Sequence, residues 1–193
     1  MADELYCYPG TDILRNKLDI HDHEKLHIYE RKLTMLRLRE LIKRPMEGNF
    51  DLEYLQAIHR YIFQDIYDWA GELRKVEIAK GNMFCKVIFI KEQADKIFEK
   101  LKNENYLAGL EKEVFSKRLA YYFSEINALH PFREGNGRSQ REFIRSLSLK
   151  NGYILYFADA SQDEMIEASQ DSFLCDYRSM ETLFEKCLRK SII

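Results

Sequence analysis

The sequence predicts an all-α fold carrying one small β-hairpin, on three observations. Only three prolines and eight glycines interrupt 193 residues, which leaves room for long unbroken helices. Apolar side chains recur at helical spacing through most of the chain. One segment alone, 76–90, abandons that period for two β-prone runs.

The elements follow in chain order. Asp22 can cap a first helix that runs through 26–43 and stops at Pro45. Asp51 can cap a second, in which Leu55, Ile58, Ile62 and Ile66 keep helical spacing. In 76–90 (VEIAKGNMFCKVIFI) the runs flank Lys80, and Gly81-Asn82 supplies the turn of a hairpin. Such a hairpin is not stable alone and must pack on the helices, with its outer edge open. A third helix covers 92–104 (EQADKIFEKLKNE). From Glu113 to Leu129, Phe115, Leu119, Tyr122 and Ile126 form one apolar stripe. Another helix runs from Gly137 to Lys150 and closes at Asn151-Gly152. Ser161 and Glu164 have capping-box spacing, and a last helix covers 180–190.

Composition removes several function classes. At 46% hydrophobic the chain can bury a good core, so one domain over 1–193 is expected. A net charge of -2 with 32% charged residues speaks against a nucleic-acid footprint over the whole protein. No apolar run approaches the ~20 residues a membrane helix needs, so no membrane partner is expected. MADELYCYPGTD has no signal-peptide pattern. Cys7, Cys85, Cys175 and Cys187 are scattered without a CxxC pair, and read as reduced thiols in a cytoplasm.

The chemistry concentrates in His130–Arg141, HPFREGNGRSQR. An apolar helix ends at Leu129, a glycine-interrupted loop follows, and the loop leads into another helix. Backbone N–H groups of Gly135, Asn136 and Gly137 can converge there on a phosphate at a helix N-terminus. Arg138 and Arg141, three apart, share a face beside the same anion, and two guanidinium forks suit a polyphosphate. His130, with its backbone held extended by Pro131, is a natural general base near neutral pH. Glu134, the only carboxylate in the loop, suits Mg²⁺, which takes one or two carboxylates together with phosphate oxygens. Phe132 reads as a core anchor for the loop.

The run resembles the Fic-family motif H-x-F-x-(D/E)-G-N-G-R-x-x-R at every defined position. The likeness extends upstream, where 58–74 (IHRYIFQDIYDWAGELR) looks like the helix and turn before the Fic hairpin. It implies a Fic-type helical bundle with a β-hairpin flap beside the active-site loop: an N-terminal segment and helix in about 1–45, a core in about 51–150 with the flap at 76–90, and C-terminal helices in about 151–193.

The resemblance also implies a protein adenylyltransferase using ATP as co-substrate. In it His130 deprotonates a Tyr, Ser or Thr hydroxyl of a protein substrate. Glu134 holds Mg²⁺ on the α- and β-phosphates, Gly135, Asn136 and Gly137 form the anion hole, and Arg138 and Arg141 bind the β- and γ-phosphates. The flap docks the target by strand addition, with Lys80, Gly81 and Asn82 at its tip.

Two departures sharpen the expectation. Phosphate-transferring relatives carry lysine where Gly137 stands, so the transferred group is AMP. Many Fic proteins restrain themselves through a helix bearing (S/T)xxxE(G/N). No Ser or Thr of this chain has Glu four positions later. With YPGTDILRNKL (8–18) and LRLREL (36–41), this resembles the toxin subclass whose inhibitory glutamate helix sits on a separate small antitoxin. Relatives of that kind modify the ATPase subunits of bacterial type II topoisomerases and cause filamentation. An inactive nucleotide-binding module, or a transferase using another donor, remain the competing readings.

Several other features have plain structural readings. His23-Glu24-Lys25-Leu26-His27 is a literal HExxH, but it lies at a charged helix start without a third ligand and reads as a solvated face. His59, among Ile58, Tyr61 and Ile62, is a satisfied and partly buried histidine. Arg145 makes a surface or intrahelical ion pair, and Trp69 packs at a tight turn. Lys80 and Asn82 either contact target or nucleotide or are simply solvated.

Overall fold

A computed structural model describes residues 4–191 of the chain. Its helices are α1 (His23–Lys43), α2 (Leu52–Phe63), α3 (Ile90–Asn103), α4 (Lys112–Leu129), α5 (Asn136–Lys150), α6 (Gln162–Phe173) and α7 (Arg178–Cys187). Four short strands join them: β1 (Ala79–Lys80), β2 (Asn82–Met83), β3 (Tyr153–Leu155) and β4 (Leu188–Lys190). The expected all-α bundle with a small hairpin is what forms.

The predicted caps are in place. Asp22 accepts the Lys25 N–H at 2.7 Å, Asp51 accepts that of Tyr54 at 2.8 Å, and Ser161 with Glu164 makes a full capping box. Each cap satisfies an N–H the helix cannot bond internally, typically worth about 1 kcal/mol. The α4 stripe of Phe115, Leu119, Tyr122 and Ile126 is completely buried, and burying each such side chain stabilises by roughly 1.5–3 kcal/mol. α4 packs against α3, α5, α6 and α7, while α2 packs against α1 and α5. The loop between α4 and α5 thus enters from the centre of the bundle.

Three elements differ from expectation. Helix α2 ends at Phe63, so Ile66 is buried in the following turn instead of the helix. The hairpin is much shorter than 76–90: Ala79 pairs with Met83 and Lys80 with Asn82, which leaves Gly81 alone at the tip with φ +76°. Val87–Phe89 forms a 3₁₀ turn leading into α3. The run VIFI looks β-prone but opens an amphipathic helix, because Ile90, Ala94, Phe98 and Leu101 make one buried face. Glu77 holds the turn by accepting the Val87 N–H at 3.1 Å.

The last helix stops at Cys187, not at 190. Leu188–Lys190 instead pairs antiparallel with Tyr153–Leu155, and Leu188 is fully buried. No glycine or proline marks that stop; only the distant strand does. Among the described residues no helix is long and apolar enough to cross a membrane.

Candidate active site

Helix α4 delivers His130 as its C-cap, in the left-handed region at φ 45°, ψ 59°. The expected extended backbone is therefore corrected: Pro131 ends the helix, but the chain reverses through a left-handed residue. That conformation costs a β-carbon-bearing residue roughly 1–2 kcal/mol. The surroundings hold it, chiefly through Arg74. The Arg74 N–H donates to the Pro131 carbonyl and its Nε to the His130 carbonyl, both at 2.8 Å. Its guanidinium also reaches the carbonyls of Val76 (2.8 Å) and Cys85. The Cys85 N–H in turn bonds the Ala128 carbonyl at 3.0 Å. One buried arginine thus ties the base of the flap to the loop between α4 and α5. Burial pulls its guanidinium below the usual value, against Glu77 and the other partners that favour charge.

The His130 ring lies 3.3 Å from the Asn127 carbonyl through Nδ1. A carbonyl can only accept, so this contact places the proton on Nδ1 and the basic lone pair on Nε2. Phe84, from the flap, stacks on the imidazole with ring centroids 3.7 Å apart and planes within 11°.

The loop itself is built tightly. The Asn136 side chain brackets Phe132, accepting its N–H at 2.8 Å and donating to its carbonyl at 2.7 Å. Phe132 is fully buried, as an anchor should be. Gly135 sits at φ +80°, and a Cβ there would lie 2.1 Å from Phe63 Cζ. His59 supports the same loop from α2. Its Nδ1 accepts the Gly71 N–H at 2.8 Å, so Nε2 carries the proton and donates to the Glu134 carbonyl at 2.9 Å. Its ring stacks on Phe132 at 3.9 Å. Burial first, and then the charges of Arg138 and Arg60, pull its pKa down to about 3 against the raising hydrogen bond to Glu134. His59 is thus a neutral, fully buried prop, more buried than its sequence context implied.

Helix α5 begins without a side-chain cap. The Gly135 N–H is taken by the Glu134 carboxylate at 2.8 Å, so the open donors differ from the expected three. They are the N–H groups of Asn136 and Gly137, which have no acceptor among the described residues. Unpaired donors at the positive end of a helix are an anion site.

The two arginines are not equivalent. Arg138 pairs with Glu30 of α1 at 2.6 Å and lies 4.6 Å above the Phe63 ring. Arg141 folds over Gly137, where an added Cβ would lie 3.5 Å from the guanidinium. Among the described residues Arg141 makes no hydrogen bond or ion pair. Burial, and next the like charge of Arg138, pull its guanidinium below the usual value.

Glu134 is part-exposed and lies 3.5 Å from Arg138. It lines a cavity of about 450 Å³ with Glu30, Tyr67, Arg133 and Arg138, and with His23 and His27 of the HExxH. Those histidines are exposed, and no cluster of three metal-donor residues occurs among the described residues. Asp12 and Glu30 line the same cavity, but Glu30 is already paired with Arg138, so a divalent ion here would rest on the Glu134 carboxylate and on oxygens of a bound substrate. That donor set fits Mg²⁺ and does not fit a structural zinc.

Arg145 pairs within its helix with Glu142 at 2.6 Å, and Trp69 stacks on Tyr67 at 4.2 Å. The side chains of Lys80 and Asn82 lie outside the described residues.

The family model described as Fic/DOC family matches residues 49–147. Over 187 residues, 96% of this chain, the sequence is 37% identical to the Probable protein adenylyltransferase Fic of Escherichia coli (strain K12), covering 92% of that protein. The fold superposes with TM-score 0.93 and 27% identity on the N-terminal Fic domain of a VirB-translocated Bep effector protein of Bartonella quintana with bound ADP, over 100% of this chain and 98% of that one. It superposes with TM-score 0.90 and 26% identity on the BepC protein of Bartonella tribocorum with bound AMPPNP, over 97% and 98%. The helical bundle, its flap and its glycine-rich loop are those of a Fic domain. The chain belongs to the Fic/DOC family.

Proposed function

We propose that this chain, acting as one Fic domain over 1–193, is a protein adenylyltransferase that moves AMP from ATP to a Tyr, Ser or Thr hydroxyl of a target protein. The observation that carries this reading is the uncapped N-terminus of α5. Two N–H groups there, on Asn136 and Gly137, are open among the described residues and adjoin Arg141, which has no counter-ion among them. A polyphosphate supplies what all three lack.

The roles we assign are those the Fic resemblance implies, and the geometry supports them. Nε2 of His130 accepts the proton of the target hydroxyl as its oxygen attacks the α-phosphorus. The bond from that phosphorus to the bridging oxygen breaks, and pyrophosphate leaves with the electron pair. The Asn136 and Gly137 N–H groups receive the charge that develops on the α-phosphate, with Gly135 holding the turn that aims them. Arg138 and Arg141 bind the β- and γ-phosphates. Glu134 would hold Mg²⁺, whose charge would offset that of the phosphates. The target segment docks along the flap at Lys80, Gly81 and Asn82, next to the Phe84 ring that covers His130.

The chain has no Ser or Thr followed four positions later by Glu, so restraint comes from outside. A small antitoxin brings the glutamate that pairs with Arg141, and the chain is the toxin of such a pair. ATPase subunits of bacterial type II topoisomerases are the first targets to assay.

The test is a bacterial lysate incubated with the protein or its His130→Ala variant, and with ATP radiolabelled at either the α- or the γ-phosphate. Label entering protein from the α-phosphate alone, and lost in the variant, is the expected result. Label from the γ-phosphate means a kinase, and label from neither means another donor or a binding module. Either outcome removes the proposal.

A further inference from the structure

Arg138 has a carboxylate partner that no sequence motif announces. Glu30 sits 108 positions earlier, on α1, and its Oε1 accepts from Arg138 Nη2 at 2.6 Å. Its other oxygen accepts the Tyr67 hydroxyl. Thr34, one turn further along α1, accepts from Arg138 Nη1 at 3.2 Å. The guanidinium rests 4.6 Å above the Phe63 ring. The pair is shielded, with the side chains 23% and 11% exposed, so solvent and salt screen it little.

A buried carboxylate set against a motif arginine invites two readings. It could be a fold-stabilising ion pair with no part in the reaction. The directions of the bonds favour a second. Glu30 and Thr34 both approach from α1, and Phe63 closes the flat face. Arg138 then keeps Nε–H and one hydrogen on each Nη, the Nη2 one lying near Glu134 at 3.5 Å, so Nε–H and Nη1 can meet an incoming phosphate in one held orientation. A free arginine at a loop edge would lose rotamer entropy on each binding event. Here the bundle has already removed that freedom.

We infer that Glu30 is the positioning residue for Arg138, fixing that guanidinium in its phosphate-binding orientation, with Tyr67 and Thr34 fixing Glu30 and Arg138 in turn. This rests on the phosphate role given above to Arg138. Glu30 touches no substrate and acts only through the arginine. The N-terminal helix is thereby part of the nucleotide site, although it lies outside the matched family region of 49–147.

The test is a double-mutant cycle on the full chain: wild type, Glu30→Gln, Arg138→Ala and the double variant. Two quantities are read: the ATP concentration giving half-maximal labelling from α-labelled ATP, and binding of AMPPNP with Mg²⁺ by calorimetry. Glutamine keeps the size of Glu30 but has one acceptor for two donors. In the wild-type background Glu30→Gln should raise the half-saturating ATP and the AMPPNP Kd about 10-fold, with the maximal rate kept within about threefold. In the Arg138→Ala background the same change should do nothing. Tyr67→Phe, which removes only a hydroxyl, should shift ATP half-saturation in the same direction by a smaller factor and covers the case in which Glu30→Gln folds poorly. A shift under threefold in the wild-type background, or equal shifts in both backgrounds, overturns the inference. If the wild type itself neither binds AMPPNP nor labels protein, the functional reading fails instead.

Discussion

His59 makes the loop sensitive to acid in a way that can be calculated. The imidazole is fully buried between the Gly71 N–H and the Glu134 carbonyl, and its pKa falls to about 3. In the unfolded chain it returns to about 6.5. A histidine depressed in the fold contributes stability that is complete above the unfolded value and is lost as pH falls toward the folded one. Between those limits the unfolded state binds a proton that the native state refuses. At about pH 4.5 the difference amounts to roughly 2.7 kcal/mol. Protonation would also put a second donor against the Gly71 N–H, breaking the bond that sets the tautomer. The charged groups facing it, Arg138 and Arg60, only reinforce the neutral form.

The assay is urea denaturation of wild type and His59→Gln at about pH 7.5 and about pH 4.5. Glutamine retains an acceptor and a donor without titrating, and carboxylates common to both proteins cancel in the difference. The wild type should lose roughly 2–3 kcal/mol more than the variant over that interval. Equal losses would mean that His59 is not held neutral by burial. The tautomer, and the prop it provides to Glu134, would then both be wrong.

Two further substitutions probe the loop. Gly135→Ala combines a positive φ with a Cβ 2.1 Å from Phe63 Cζ, and Phe63 is itself fully buried. Strain and overpacking should destabilise by roughly 2–4 kcal/mol and abolish labelling, read by thermal melting and the α-label assay; a normal melt would refute the packing argument. Arg74→Met keeps length but strips donors from the carbonyls of His130, Val76 and Cys85. It should cost roughly 2–4 kcal/mol and increase protease cleavage within 76–86; an unchanged cleavage pattern would show that the flap is anchored elsewhere.

What could be read from the sequence was whatever lies close along the chain. Helix caps, the α4 stripe and the loop motif each need only neighbours within a few residues, so their physics is visible as spacing. The failures have the opposite character. Leu188–Lys190 is a strand because Tyr153–Leu155 lies beside it, and the run at 87–90 joins a helix because its buried face continues to Leu101. The His130 backbone is left-handed because Arg74, 56 positions away, holds its carbonyl. Of the residues around the loop, His59 alone carried a signal: a polar residue on the apolar face of α2, at a place where burial demands partners. Glu30 and Arg74 carried none, since charged residues on helices and turns are ordinarily solvated.

The division has a consequence for how the site works. Residues 130–141 contain each group assigned to touch the nucleotide, yet several of them are oriented by residues outside the run. His130 is turned by Arg74 and covered by Phe84, Glu134 has its carbonyl held by His59, and Arg138 is aimed by Glu30. Arg141 is the exception: no described side chain holds it. Among the described residues it is therefore the phosphate-assigned arginine whose orientation is left to what binds it.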